Sequence, residues 1–469
     1  MPITVWQGEE IEFGVPYKTS ETTYAVDLLD ALQSYVLDPP ISKPIFLQNS
    51  RGGFTQFLRN GGRAYGDIGT APGTYDIFEV STPECRNALE LTLYDKAAEQ
   101  IAKIASDQLY KLSGVRIHCY KTSITKAKTD DGSLRYSTRG IHEVYLVDRK
   151  NVMSRLDLLI PYLTVRQIFC GAGGYYRGRF VISPRQLFIK NIFAEKIFDE
   201  WPMIGLRDEP HADRRFYRLH VVNCDGARLQ MTTFVRQSIT AYVLKSIEEG
   251  LVNNVPKVLN PIQVAKLITT SPDGDWEVDI EGGKTIKATE LLNSYYLTAI
   301  EKLFERAEVD QYDKLALTEF KRILDKEENG LIEDLADTVE WVTKLVVVEK
   351  GFENYFEYQG DIVEGKVAAD YQYTAVTESL FEELEEELGL KKLFSEDQVK
   401  WAIANPPPNS RAKARVRLAD MFKNDLDEIS WSSIAIRGRT VLMLELDSWE
   451  DHKIDKLAED VKKNILEVG

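Results

Sequence analysis

Residues 8–15 read Gly8-Glu9-Glu10-Ile11-Glu12-Phe13-Gly14-Val15. If the segment is a strand, successive side chains point to opposite faces, so Glu10 and Glu12 lie together. Two readings are open: an acidic face turned to solvent, or an acidic face turned into a cation site. Further along, Arg63-Ala64-Tyr65-Gly66-Asp67 alternates in the same way. Arg63, Tyr65 and Asp67 share one face, with Ala64, Gly66 and Ile68 on the other. In line, these side chains can supply a phosphate contact, a metal or phosphate contact and a base. An exposed edge strand with a salt bridge is the alternative. A third segment, Glu79–Cys85 (EVSTPEC), holds Glu79 and Thr82 ahead of a long helix, which Thr82 or Glu84 could cap. Two more carry histidine: Gly140–Leu146 (GIHEVYL), with His142, and Arg207–Asp213 (RDEPHAD) followed by His220 in Tyr217–Val221 (YRLHV). A lone histidine is more commonly a satisfied structural residue than a ligand, so none of these segments decides the function by itself.

The 469 residues are enough for a large core and more than one domain. Hydrophobic residues make up 43% and charged residues 28%, an ordinary globular balance. The net charge of −16 excludes a global basic footprint for nucleic acid. The local run Arg411–Arg417 (RAKARVR) is basic, but short. Cys85, Cys119, Cys170 and Cys224 form neither a CxxC pair nor a zinc spacing, so free thiols and a cytoplasmic location are expected. No apolar run reaches the roughly 18 residues of a membrane span, and the N-terminal MPITVWQGEEIEF does not resemble a signal peptide. The Walker A, protein-kinase, GxSxG and HExxH patterns are missing.

Periodicity predicts strands over Ile3–Val15, Arg63–Ile68, Arg116–Thr122, Ile141–Val147 and Arg218–Val222. Helices are predicted over Asn87–Leu112 and Thr233–Glu249, with further helical stretches over 290–350 and 375–392. Glu378–Leu390 reads as a solvated amphipathic helix. The prolines of Asn405–Asn409 (NPPPN) break the chain, separating residues 1–404 from a small C-terminal domain, 405–469. That domain should hold strands at Ser430–Ile436 and Thr440–Leu446 and then a final helix.

The ordered blocks GEEIEFGV, NGGRAYGD, EVSTPEC, GIHEVYL, TVRQIFCGAG, LRDEPHAD with YRLHV, NPPPNSRA and ISW resemble the Pup ligase/depupylase family nearly end to end. That family resembles glutamine synthetase. The resemblance implies an α+β fold, a curved antiparallel sheet cradling ATP with helices behind and a small C-terminal domain at one end. Magnesium positions fall on Glu10, Tyr65 and Glu79, with further metal positions at Glu12, His142 and His220. ATP contacts fall on Arg63 and Thr82, a nucleotide-packing aromatic on Trp431, and phosphate or acyl-phosphate contacts on Arg185 and Arg207. The catalytic base falls on Asp67. The implied cofactors are ATP and Mg²⁺, with Mn²⁺ also suited to a histidine ligand. The implied partners are a Pup-like protein or peptide with a terminal glutamate or glutamine and a lysine-bearing target, with no nucleic acid and no membrane. The implied activity is ligation of a glutamate carboxylate to an amine. Amide or isopeptide hydrolysis of the depupylase kind, and a nucleotide-gated binding protein, are the alternatives. Departures from the family pattern stand at Val144, Thr122-Ser123, Ala227 and Gln230–Thr232, and the Asp67–Glu79 segment is longer than usual. They are expected to surround the substrate entrance.

Overall fold

The computed structural model describes residues 2–15, 24–33, 46–49, 55–67, 77–121, 124–128, 134–274, 276–378 and 380–466. The central sheet contains β1 (Gln7–Gly14), β2 (Phe46–Asn49), β3 (Thr55–Leu58), β4 (Arg63–Asp67), β5 (Ile77–Ser81), β6 (Tyr120–Lys121), β7 (Ile141–Asp148), β8 (Asn191–Ala194), β9 (Pro202–Gly205) and β10 (Phe216–Cys224). Its order is β8-β9-β10-β7-β1-β5-β4-β3-β2, with β6 added at the end of β1. Neighbours run antiparallel except β8 and β9. This is the expected α+β architecture, a mostly antiparallel sheet with helices behind it.

One face of β1 carries Gln7, Glu9, Ile11 and Phe13, all buried against the helices. On β7, Ile141, Glu143, Tyr145 and Val147 turn the same way. The helices behind are α1 (Tyr24–Gln33), α2 (Ala88–Ser113) and α3 (Gln230–Glu248). Helix α3 is buried along nearly its whole length and meets the sheet with charge as well as hydrocarbon. Arg236 pairs with Glu9, and its Nε lies 2.9 Å from Glu143, which Arg166 also reaches at 2.6 Å. Burying ions is tolerable here because each carboxylate has a guanidinium partner. Glu143, next to His142 in sequence, therefore belongs to the scaffold.

Helix α2 starts at Asn87, whose side chain accepts from the Glu90 N–H, and ends at Gly114 in the left-handed region, φ 72°. Neither Thr82 nor Glu84 caps it, because both are engaged in the sheet and its neighbours. The strand expected over Arg116–Thr122 is regular only at Tyr120–Lys121, where it pairs with Phe13 and Gly14. Thr122-Ser123, Ile68 and most of the Asp67–Glu79 segment lie outside the described residues. The acidic run around 378–390 forms a helix over Leu380–Glu387, with Phe381 and Leu384 buried.

After Ala404 the chain leaves a helix, crosses the prolines and enters α4 (Arg411–Met421). Three strands follow, β11 (Leu426–Ile429), β12 (Ser433–Ile436) and β13 (Arg439–Leu442), and then α5 (Asp451–Leu466). They enclose a second core of Leu418, Phe422, Ile434, Ile436, Trp449 and Ile454, joined from the main sheet by Phe57. The basic run 411–417 is not a solvated patch: Arg411 and Arg415 are buried on the inner side of α4.

Candidate active site

On the sheet face opposite the helices, the strand register builds two rungs. One runs His142–Glu10–Ser81–Arg63 across β7, β1, β5 and β4. The next runs Glu12–Glu79–Tyr65 across β1, β5 and β4. Period-two alternation sends these side chains into the open face, where two cavities meet.

The larger cavity, about 510 Å³, lies between the sheet and the C-terminal segment and is walled by Phe57, Arg63, Thr82, Arg411 and Trp431. The smaller, about 260 Å³, is walled by Glu12, Tyr65, Asp67, Glu79, Arg185 and Trp201. Glu10, Arg207, Glu209 and Arg218 border both. Every residue singled out from the sequence therefore reaches one connected space. Arg63, Thr82 and Trp431 stand in the larger part. Asp67, Tyr65, Glu79, Glu12, His142, His220 and Arg185 stand in the smaller, and Glu10 and Arg207 at the junction.

The larger cavity has an aromatic wall. Trp431 meets Phe57 edge-on at 5.2 Å between ring centroids. The Thr82 hydroxyl accepts from the Glu9 N–H at 3.0 Å, fixing the turn after β5. Arg63 donates from Nε to Thr55, and its guanidinium lies 5.7 Å from the Phe57 ring.

The smaller cavity is crowded with acids. Glu12 and Glu79 stand opposite one another on neighbouring strands, an arrangement that like charges disfavour. Burial, together with Glu10, Glu12 and Asp67, pushes the Glu79 carboxyl well above its ordinary range. Tyr65 donates its hydroxyl to Glu79. Burial also works against ionised Glu10, but Arg218, His142 and His220 outweigh it and hold Glu10 well below the ordinary range. Glu12 is likewise lowered against its burial by Arg185 and His142 nearby, with the Gly140 N–H donating to it at 2.8 Å.

Glu10, His142 and His220 bring ligand-type atoms within 4.8 Å of one another. Burial lowers the His220 imidazole to about 4, so it is neutral at ordinary pH. Arg218 Nη1 lies 3.5 Å from its Nδ1, and since a guanidinium only donates, the proton sits on Nε2, which lies 3.6 Å from Glu10 Oε2. To ligate a metal, His220 must give up its proton position or its Arg218 contact, whereas Glu10, Glu12, Tyr65 and Glu79 offer the oxygen donors that Mg²⁺ requires. His142 is more committed. Arg185 Nη2 lies 3.0 Å from its Nε2, and since a guanidinium only donates, the proton sits on Nδ1, 3.2 Å from Glu10. To ligate a metal, His142 must release one of these partners.

Arg218 was not singled out from the sequence. It borders both cavities and donates to Glu10 Oε1 at 2.6 Å. The available signal was its position two residues before His220 on one strand, which places both on one face. Trp201 and Arg139 also line the smaller cavity, and His211 the larger. The departures at Ala227 and Gln230–Thr232 line neither cavity and are buried at the start of α3 and just before it. Only Val144 among the described departures faces the site, in the larger cavity.

Residues 10–435 match the family model for Pup-ligase protein. The Pup–protein ligase of Xylanimonas cellulosilytica is 29% identical over 426 residues, covering 86% of this chain and 90% of that protein. The Pup–protein ligase of Mycobacteroides abscessus is 28% identical over 420 residues, covering 86% and 89%. Among solved structures, the ligase PafA in its complex with the prokaryotic ubiquitin-like protein Pup superposes with a TM-score of 0.77 at 21% identity, over 98% of this chain and 93% of that one. PafA in complex with ADP gives 0.73 at 22% identity, over 87% and 90%. These two structures share the fold described above.

Proposed function

The chain belongs to the Pup-ligase protein family, and from that premise we propose that it is an ATP-dependent carboxylate–amine ligase. It activates a glutamate carboxylate of a Pup-like modifier and joins it to a lysine amine of a protein as an isopeptide. The observation that carries this reading is the connected pair of cavities: an aromatic-walled one large enough for a nucleotide, opening through Glu10, Arg207 and Arg218 into an acid-lined one that ends at Asp67.

In this reading the adenine lies against Trp431 and Phe57, with Arg63 and Thr82 facing the phosphates. The phosphoryl group is handed over at the junction. A bond forms between the terminal phosphorus and a carboxylate oxygen of the glutamate, and ADP leaves. Arg207 and Arg218 offset charge on the moving group, and Arg185 faces the carboxylate side. Glu10, Glu12, Tyr65 and Glu79, with His220 and His142, would hold Mg²⁺, which neutralises phosphate charge and orients the oxygens. The amine nitrogen then attacks the acyl carbon, and phosphate leaves with the carbon–oxygen bond. Asp67, the most exposed residue of β4, takes the amine proton.

The curated relatives described above are ligases by name, which favours ligation over hydrolysis. We assign the small domain to 405–469, since its residues share a core of their own. We place the protein in the cytoplasm, in keeping with four cysteines that are free and buried. Among the described residues, no helix is long and apolar enough to cross a membrane.

Intact-mass spectrometry of the protein with Mg-ATP, Pup and a lysine-bearing target tests the reading. The expected product has the combined mass less one water. ADP release with no adduct would refute ligation.

A further inference from the structure

We propose that Glu84 is a positioning residue that sets the width of the larger cavity by clamping α4 against the sheet. The inference rests on the reading of that cavity as the nucleotide site.

Glu84 follows β5 and is not part of the acid cluster around Glu79. It faces two arginines on successive turns of α4. Arg411 reaches Glu84 Oε1 from Nη2 at 2.8 Å and from Nε at 2.9 Å. Arg415 reaches Oε1 from Nη1 at 3.1 Å and Oε2 from Nη2 at 2.9 Å. Three of these donors converge on Oε1 and one on Oε2, so the carboxylate is committed to the two arginines. It holds other groups in place.

What it holds is the cavity wall. Arg415 also donates to Trp431 O at 2.7 Å and Gly61 O at 2.7 Å, and its guanidinium lies 5.2 Å from the ring centroids of both Trp431 and Phe57. Arg411 also donates to His211 O and to Met443 O at 3.1 Å. One carboxylate thus fixes two guanidiniums, and these bind four segments: the 207–213 loop and the Trp431 loop, which line the cavity, and the 60–62 turn and Met443 just after β13. The approach is close. Gly61 has φ +83°, and a Cβ there would come within 2.6 Å of the Ala412 Cβ. Both arginine side chains are nearly sealed, Arg411 at 3% and Arg415 at 0% exposure. Without Glu84 the two cations would repel one another with little water to screen them, and the helix would move away from the sheet.

The clamp is therefore needed for nucleotide affinity and not for the chemistry near Asp67, which lies in the other cavity. In the full-length protein, Glu84→Gln should raise both the ATP dissociation constant and the ATP KM by about tenfold or more, the scale of a broken charged hydrogen-bond network. At saturating ATP, kcat should stay within about threefold of wild type, since the interaction removed is one of binding. Arg415→Lys, which keeps charge but loses the fork, should act in the same direction. Glu84→Asp should recover part of the affinity, and it replaces Glu84→Gln if that variant does not fold. Calorimetry with Mg-ATP on wild type comes first. If wild type does not bind ATP, the nucleotide reading of the cavity is wrong. If wild type binds and the folded Gln variant binds equally well, the clamp alone is wrong. A loss confined to kcat, with KM unchanged, would also overturn it.

Discussion

The Glu84 clamp has a measurable acid limit. Burial works against its ionised form, but Arg415 and Arg411 outweigh that and lower the carboxyl from an ordinary 4.5 to about 2. A depressed carboxylate contributes stability that is fully present above its unfolded value and is lost as pH falls through its folded value. The window is therefore pH 4.5 down to about 2. At about 1.36 kcal/mol per unit, this shift corresponds to roughly 3 kcal/mol at neutral pH, as an order of magnitude. Glutamine has nearly the same shape and does not titrate, so Glu84→Gln removes this term at every pH. It also leaves two buried guanidiniums short of a counter-charge, which adds a penalty that does not depend on pH. The informative quantity is the change in the wild-type-minus-variant difference. Urea unfolding of both proteins at pH 7, 4.5 and 3 should give a difference that is largest at pH 7. By pH 3 it should have shrunk by more than about 1 kcal/mol. Other carboxylates titrate in both proteins and largely cancel. A difference that is flat from pH 7 to 3 would mean that the arginines do not hold Glu84 ionised, and the clamp's electrostatic basis would fail.

Three further outcomes are expected. Asp67→Asn should keep the fold and Mg-ATP binding while lowering product formation by about 10²-fold or more, read by intact mass over time; product at the wild-type rate would remove Asp67 from the role of base. EDTA should abolish ATP binding, and Glu79→Ala should weaken it strongly in Mg²⁺, both read by calorimetry; equal ATP affinity with and without the metal would end the cation assignment. An ATP-induced change in tryptophan emission should be lost or much reduced in Trp431→Phe; an unaltered signal would leave Trp431 as a wall of the small core only.

The alternation in GEEIEFGV and RAYGD was readable because strand geometry allows only two faces, and the register then places Glu10 and Arg63 on one rung and Glu12 and Tyr65 on the next. The long helices were readable from their periodicity, within a few residues at each end. What did not show locally was which face of each strand turns inward. Arg236 and Arg166 on the helix side give the buried Glu9 and Glu143 their partners, and that pairing spans more than 200 residues of chain in the Glu9 case. The role of Arg411 and Arg415 was hidden for the same reason. RAKARVR shows only a short basic run, and the distant Glu84 is what makes a buried joint of them. The cap is Asn87 and not Thr82 or Glu84, whose side chains are used elsewhere, in keeping with asparagine's stronger capping preference.

The acidic face itself poses the deeper question. A sheet that sets Glu12 against Glu79, with Glu10 and Asp67 beside them, gives up stability unless a positive charge arrives. The arginines meet only part of that need. Arg218 and Arg185 hold Glu10 and Glu12 ionised, whereas Glu79 has its carboxyl raised by burial and by its neighbours. The face is therefore unevenly compensated, and the shortfall is concentrated at Glu79, to which Tyr65 donates its hydroxyl. A site of this kind gains most from a cation that is brought in with the substrate. If the cation arrives with the nucleotide, the acid-lined cavity is fully neutralised only when the aromatic-walled one is filled. In the ligase reading proposed above, a substrate carboxylate would then meet less repulsion from Glu10, Glu12 and Asp67. On this argument the order of binding follows from charge: nucleotide and metal first, carboxylate second.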